Sequence, residues 1–184
     1  MTTSLHRRLD AALADGVIID CETTGLDPSD ARIIEFAALQ LHDGQPVAEF
    51  HTLVDPGRPV PEEITDITGI TSGDLDGRPA FADIIGTVTS LIEGRTVVGH
   101  NIDFDMAFVS AECDRSGDSA PLPSADVLCT AASARTLIPR EQVGRYRLGT
   151  LAEVLGLSHR PTHRAVDDAR ATVDLLTYLR DISR

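Results

Sequence analysis

A chain of 184 residues with 42% hydrophobic and 24% charged side chains can bury roughly 70% of its unfolded surface around one core and needs no disulfide or metal staple. No apolar run approaches the roughly 18 residues of a membrane span, and the composition is too apolar for a disordered chain, which excludes both of those classes. The net charge of −13 argues against a general nucleic-acid coat protein, because phosphate binding requires basic surface.

That charge is uneven. Residues 135–164 carry six arginines (Arg135, Arg140, Arg145, Arg147, Arg160 and Arg164) against Glu141 and Glu153, a local excess of four that leaves a basic track open beside the plainer reading of solvated arginines. The three cysteines, Cys21, Cys113 and Cys129, are odd in number and lack metal-type spacing, so reduced, buried thiols are expected.

In chain order, Leu5, Leu9 and Leu13 give residues 1–16 the spacing of a short amphipathic helix. Arg7, Arg8, Asp10 and Asp15 break the apolar stretch that a signal peptide needs, and a cytoplasmic location with no membrane contact is expected. Val17, Ile18 and Ile19 form a buried strand between Gly16 and Gly25. Leu26 to Asp30 is a turn by its Pro and Asp content, and two strands over 32–41 and 46–54 are joined by a hairpin at Asp43 and Gly44, which implies an antiparallel meander. Pro59 to Thr71 reads as a short helix with Pro61 in its first turn and Gly69 as its stop. Then helix and strand alternate: helix 80–92, strand 96–98, helix 103–113, a Ser- and Pro-rich loop over 117–124, strand 126–129, and helices around 131–137, 148–155 and 164–179. The class is α/β with a mixed sheet, in one domain spanning 1–184.

The first strand ends in acid. Side chains alternate along a strand, so Asp20 and Glu22 share one face while Cys21 takes the other. Two carboxylates about 4 Å apart repel by on the order of 4 kcal/mol at an effective dielectric of about 20, and the remedies are protonation, an arginine partner or a bound cation. On the helix from 103, Asp105 shares an apolar stripe with Ile102, Met106, Val109 and Cys113; placement of Asp103 and Asp105 in a helix's favourable first turn is the better explanation when the segment is taken alone. On the last helix, Asp168 lies beside the stripe of Ala165, Ala169, Thr172, Val173, Leu176 and Leu179, while Asp167 faces away with Arg170 and Asp174. His163, after Pro161 and Thr162, falls at the entrance of that helix.

As an ordered set these residues resemble the DEDDh (DnaQ-like) family of 3′-to-5′ exonucleases, which includes the proofreading epsilon subunit of bacterial DNA polymerase III. The first motif, D-x-E-T-T-G, is Asp20 to Gly25; the second, H-N-x-x-F-D, is His100 to Asp105; the third, H-x-x-x-x-D, is His163 to Asp168. I-T-G-I-T at 67–71 and Leu148, Leu151, Ala152, Leu155, Gly156 and Leu157 extend the resemblance over roughly 15–180.

The resemblance implies a ribonuclease H-like fold, a five-stranded mixed sheet flanked by helices. It implies that Asp20, Glu22, Asp105 and Asp168 hold two divalent ions, Mg²⁺ or Mn²⁺, as hard oxygen ligands favour. His163 becomes the general base on the attacking water, a role suited to an imidazole with an ordinary pKa of about 6.5. Thr23, Thr24, Leu26, His100, Asn101 and Phe104 line the pocket for the 3′-terminal nucleotide, with Leu26 wedged against a base. The expected partners are 3′ ends of single-stranded nucleic acid, DNA ahead of RNA because Thr23 and Thr24 resemble the DNA-trimming branch. The competing readings are an RNA-trimming enzyme, a proofreading subunit bound to a polymerase, and a non-catalytic nucleic-acid-binding module.

Overall fold

The computed structural model describes residues 2–117 and 126–184, so most of the loop expected over 117–124 lies outside the described residues. In chain order the elements are α1 (Thr2–Asp15), β1 (Gly16–Thr23), β2 (Ile33–His42), β3 (Gln45–Leu53), α2 (Glu62–Thr68), α3 (Ser72–Leu75), α4 (Phe81–Ile92), β4 (Thr96–Gly99), α5 (Asp103–Ser116), β5 (Asp126–Cys129), α6 (Thr130–Leu137), α7 (Arg140–Val143), α8 (Leu148–Val154) and α9 (Ala165–Ile182). The five strands form one mixed sheet in the order β3-β2-β1-β4-β5. β1, β2 and β3 pair antiparallel, as the hairpin at Asp43 and Gly44 requires, whereas β4 joins β1 and β5 joins β4 in parallel through helical crossovers.

Both faces of the sheet are covered, which is why Val17, Ile18 and Ile19 are apolar without alternation. Ile18, Ala37, Leu39 and Val98 pack under α1, α6, α8 and α9; Val17, Ile19, Phe36 and Val97 pack under α4 and α5. α9 lies across β1 and β2 on the stripe of Ala165, Ala169, Leu176 and Leu179, all fully buried. Its small first residues let the helix start sit close to the strands.

Several boundaries differ from the sequence expectation, two of them near the site. The helix expected over 59–71 is α2, shorter at its start and stopped as expected by Gly69 at φ 72°; a further turn of helix, α3, follows beyond that range, where Thr71 caps it by accepting from the Asp74 N–H while Asp74 accepts from the Thr71 N–H. β1 runs to Thr23, past its three apolar residues, because Asp20, Cys21 and Glu22 still pair with Ala37, Phe36 and Glu35 of β2.

Gly99 ends β4 where the chain turns over β1. A Cβ there would meet Ile102 Cδ1 at 2.7 Å and the Ile19 carbonyl oxygen at 3.2 Å. Gly99→Ala is therefore expected to destabilise by about 1–3 kcal/mol, lowering the melting temperature by roughly 2–10 °C. Gly86, in the interior of α4 with nothing within 4 Å of an added Cβ, gives the opposite sign: Gly86→Ala should stabilise by about 0.5–1 kcal/mol. Thermal denaturation of the two variants checks both.

Candidate active site

The acids gather where β1 outruns its neighbour. β4 pairs only with Gly16, Val17 and Ile18, so the edge of β1 beyond Ile18 has no strand on that side. Asp105, in the first turn of α5, fills the gap: its Oδ1 accepts the Cys21 N–H at 3.0 Å. Asn101, at φ 72°, provides the reversal that carries the chain from β4 into α5. Asp20 and Glu22 continue the face of Ile18, toward α9.

The start of α9 brings the third group. The Thr162 and His163 N–H groups donate to Asp168 Oδ1 at 2.9 and 3.2 Å, folding the segment before the helix back onto its first turn. This places His163 at φ 59°, a left-handed conformation uncommon outside glycine. A ring nitrogen of His163 and carboxylate oxygens of Glu22 and Asp168 then lie within 4.8 Å of one another. Asp20 and Asp105 fall outside that set but flank it, close enough for the charges of Asp105, Asp168 and Glu22 to act on Asp20. Asp167 points the other way, accepting from the Thr162 hydroxyl at 2.8 Å and pairing with Arg170 at 3.7 Å.

Burial, then the neighbouring acids, drives the carboxyl groups up. Asp20 stands well above the carboxylate range, through burial first and then Asp105, Asp168, Glu22 and Glu35. Glu22 is pushed to about 8 by burial, Asp168, Glu35 and Asp105, against the charge of Arg164. Asp105 is raised to about 7 by burial, against the hydrogen bond from Cys21. Asp168 is raised by burial, against the Thr162 and His163 bonds. The same burial and acids raise the Cys21 thiol and keep it protonated, and Cys21, Cys113 and the half-buried Cys129 are not joined in disulfides.

One acid behaves oppositely. Glu35, cross-strand from Glu22 and fully buried, meets Arg164 Nη2 at 2.7 Å and Nε at 3.1 Å, accepts the Ala165 N–H at 2.9 Å, and lies 2.7 Å from His51 Nε2. Burial alone would raise its carboxyl, but these bonds and the Arg164 charge outweigh it and hold the pKa below its ordinary value. Glu35 thus ties the residue after His163, and the first turn of α9, to the sheet. Sequence reasoning missed it, although a lone acid in I-I-E-F-A-A-L was a signal. The pairing also removes Arg164 from the basic track that its position suggested.

The residues expected to line a nucleotide pocket divide. Leu26 is 86% exposed, and the ring of Phe104 packs against that of Phe108, centroids 4.8 Å apart and tilted by 46°. The hydroxyls of Thr23 and Thr24 are turned inward: the first donates to the Gly25 carbonyl at 2.6 Å and the second accepts the Arg32 N–H at 2.9 Å. That loop is anchored on α5, where Arg32 makes a two-pronged ion pair with buried Glu112 at 2.8 Å. His100 is held between Thr130 Oγ1 at 3.0 Å and the Tyr146 carbonyl at 2.8 Å, and its pKa is lowered by burial. His100, Arg147, Leu148, His163 and Asp168 line one cavity of about 470 Å³.

The donor set fits divalent cations. Asp20 and Glu22 accept no hydrogen bond and form no ion pair among the described residues, so the four raised acids have oxygen lone pairs to offer and only Glu35 is neutralised by protein. A consequence for stability follows from the raised pKa values. The folded state holds protons on Glu22 and Asp105 that the unfolded chain releases near their ordinary values, 4.5 and 3.8, so stability falls as pH rises toward about 8 and about 7. In chelator the melting temperature is expected to drop between about pH 5 and pH 8, and Mn²⁺ should flatten the drop by binding the ionised acids. A flat profile in chelator would contradict this electrostatic picture.

The known proteins that this chain is similar to are named as exonucleases and DNA polymerase III chains. The family model described as exonuclease matches residues 17–176. The chain is 37% identical over 158 residues to DNA polymerase III subunit epsilon of Treponema pallidum, covering 86% of this chain and 73% of that protein. It is 35% identical over 162 residues to DNA polymerase III PolC-type of Clostridium perfringens, covering 88% of this chain but spanning only 11% of that much longer relative. The solved structure of Exonuclease X in complex with 5′ overhanging duplex DNA superposes with a TM-score of 0.70 at 27% identity, over 91% of this chain and 99% of that one, which makes the fold ribonuclease H-like. With the family model spanning nearly the whole chain and the acids at the end of β1, this protein belongs to the RNase T exonuclease family.

Proposed function

We propose that residues 1–184 form a single, cytoplasmic DEDDh-type exonuclease domain that removes nucleoside 5′-monophosphates from the 3′ end of single-stranded nucleic acid, DNA in preference to RNA. The observation that carries the reading is the convergence of Glu22, His163 and Asp168 within 4.8 Å, flanked by Asp20 and Asp105, with no arginine ion pair to these four acids among the described residues such as the one Arg164 makes to Glu35.

Asp20, Glu22, Asp105 and Asp168 would hold two divalent ions, Mg²⁺ or Mn²⁺, whose charge would stabilise the attacking and leaving oxygens of an in-line displacement at phosphorus. His163 accepts a proton from the attacking water; the water oxygen bonds to phosphorus, the bond from phosphorus to the upstream 3′ oxygen breaks, and that oxygen is protonated from solvent. The Glu35–Arg164 pair keeps the His163 ring beside the acids through this step. Leu26 and Phe104 offer apolar surface to the terminal base, Asn101 a polar group, and the turn of Thr23 and Thr24 its backbone. His100, held in place by its two hydrogen bonds, shapes the wall rather than moving protons. The relatives named for DNA polymerase III make a replicative polymerase the partner class to test, and the 5′ overhanging duplex bound by Exonuclease X supports DNA as the substrate.

A time course with 5′-labelled DNA and RNA of one sequence should give a ladder shortening from the 3′ end, faster for DNA, dependent on Mg²⁺ or Mn²⁺ and absent in chelator. Intact substrate under every condition would overturn the reading in favour of a binding module, and faster loss of RNA would reverse the substrate preference. Asp20→Ala should abolish turnover without loss of thermal stability, since it removes like charge; Asp168→Ala should abolish turnover as well, with some loss of stability because the Thr162 and His163 N–H groups lose their acceptor. His163→Ala should lower kcat by about 10²- to 10⁴-fold with little change in KM, and a pure KM effect would contradict the base role.

A further inference from the structure

Sixteen arginines stand against 29 acids in this chain, so several arginines without acidic partners gathered in one place call for an explanation. Eight of them, Arg8, Arg32, Arg58, Arg95, Arg115, Arg164, Arg170 and Arg180, form ion pairs with Asp or Glu. Among the described residues the other eight form none, and five of those, Arg135, Arg140, Arg145, Arg147 and Arg160, fall between residues 135 and 160. Glu141 and Glu153 sit in the same stretch without pairing to them.

Four of the five meet in one place. Arg135, Arg140, Arg145 and Arg147, all exposed, line a cavity of about 380 Å³ with Gly144 and Tyr146. The loop that presents them is rigidly built. The Tyr146 hydroxyl donates to the Ile138 carbonyl at 2.7 Å, its carbonyl accepts from His100, and Arg135 lies over its ring at 5.7 Å. Arg140, an exposed residue, donates from Nε to the Gly144 carbonyl at 3.3 Å, and among the described residues no ion pair takes its terminal nitrogens. Arg147 also lines the neighbouring cavity that contains His163 and Asp168, so the basic surface continues into the acid site.

We propose that Arg135, Arg140, Arg145 and Arg147 form a binding site for phosphodiester groups of the strand being cleaved, leading away from the scissile bond. The assignment to that strand rests on the exonuclease reading above. An enzyme that takes off the terminal nucleotide has a single residue beyond the scissile phosphate, so several guanidinium groups in a row answer to the phosphates still attached upstream. Guanidinium forks suit phosphate oxygens, and a chain whose whole net charge is −13 is still more acidic outside this loop, which disfavours nucleic acid there.

The test is fluorescence anisotropy of the full chain with single-stranded oligothymidylate of about 12 residues and with a trinucleotide, in chelator at about 20 mM salt. The variants are Arg145→Gln alone and Arg140→Gln with Arg145→Gln, both exposed and away from the acids. The double variant should bind the longer strand about tenfold more weakly, with a salt slope smaller by about 1.4, or about 0.7 for each phosphate no longer neutralised. Trinucleotide binding, and turnover of the p-nitrophenyl ester of thymidine 5′-monophosphate in Mn²⁺, should change less than twofold. Unchanged affinity and slope for the longer strand, or no binding of it by the parent chain, would overturn the site. A loss seen only after annealing a complementary strand would overturn the assignment to the cleaved strand. Because binding is read without metal, a chain that grips the longer strand through these arginines yet hydrolyses neither substrate would refute the exonuclease reading and leave the phosphate site standing.

Discussion

Repulsion among the carboxylates at the end of β1 is the constraint to which the rest of the structure answers. Each close pair at about 4 Å opposes folding by on the order of 4 kcal/mol at an effective dielectric of about 20, a large share of a domain's typical margin of about 5–15 kcal/mol. The fold sustains it by burying apolar surface on both faces of one sheet and by delivering each acid on a different, firmly packed element. Asp20 and Glu22 ride on the central strand, Asp105 on a helix start wedged into the edge of that strand, and Asp168 on a helix whose inner stripe is fully buried. None of the four can relax away from the others without moving a piece of the core.

The contrast between Glu35 and its neighbours shows that this crowding is selective. Glu35 is as deeply placed as any of them, yet Arg164, His51 and a helix N–H bring its pKa down. A protein cation was therefore within reach of this corner, and it serves the one acid that anchors α9. Asp20, Glu22 and Asp105 are raised by burial, Asp20 and Glu22 further by the neighbouring acids, an arrangement that stabilises the empty protein only when protonated and that ionised groups tolerate once divalent cations join them. The Glu35 pair also sets the backbone of residue 164, and with it the left-handed turn that holds His163 over the site.

Much of this was legible in the sequence, and the reason is local. Strand alternation puts Asp20 and Glu22 on one face, helical spacing separates Asp168 from Asp167, and the hairpin at Asp43 and Gly44 dictates the antiparallel half of the sheet. What stayed hidden depends on pairings across the fold. Nothing near Arg164 shows that its partner is Glu35, so it reads as one more member of a basic track. The inward turn of the Thr23 and Thr24 hydroxyls depends on the return of the chain at Arg32, and the further turn α3 rests on a Thr71–Asp74 cap masked by its Gly- and Thr-rich surroundings. The arginine loop lies between: its composition is visible in the sequence, but its shared boundary with the His163 cavity emerges only when α6, α7 and α8 fold around Tyr146.

The central claim, that the crowded acids form a two-cation site, is tested most directly by diffraction at the manganese edge from crystals grown with Mn²⁺ and a nucleoside 5′-monophosphate. The structure predicts two anomalous peaks among Asp20, Glu22, Asp105 and Asp168, with the phosphate beside His163. Peaks confined to other positions, such as the exposed His159–Asp174 pair, or none at the end of β1, would contradict it.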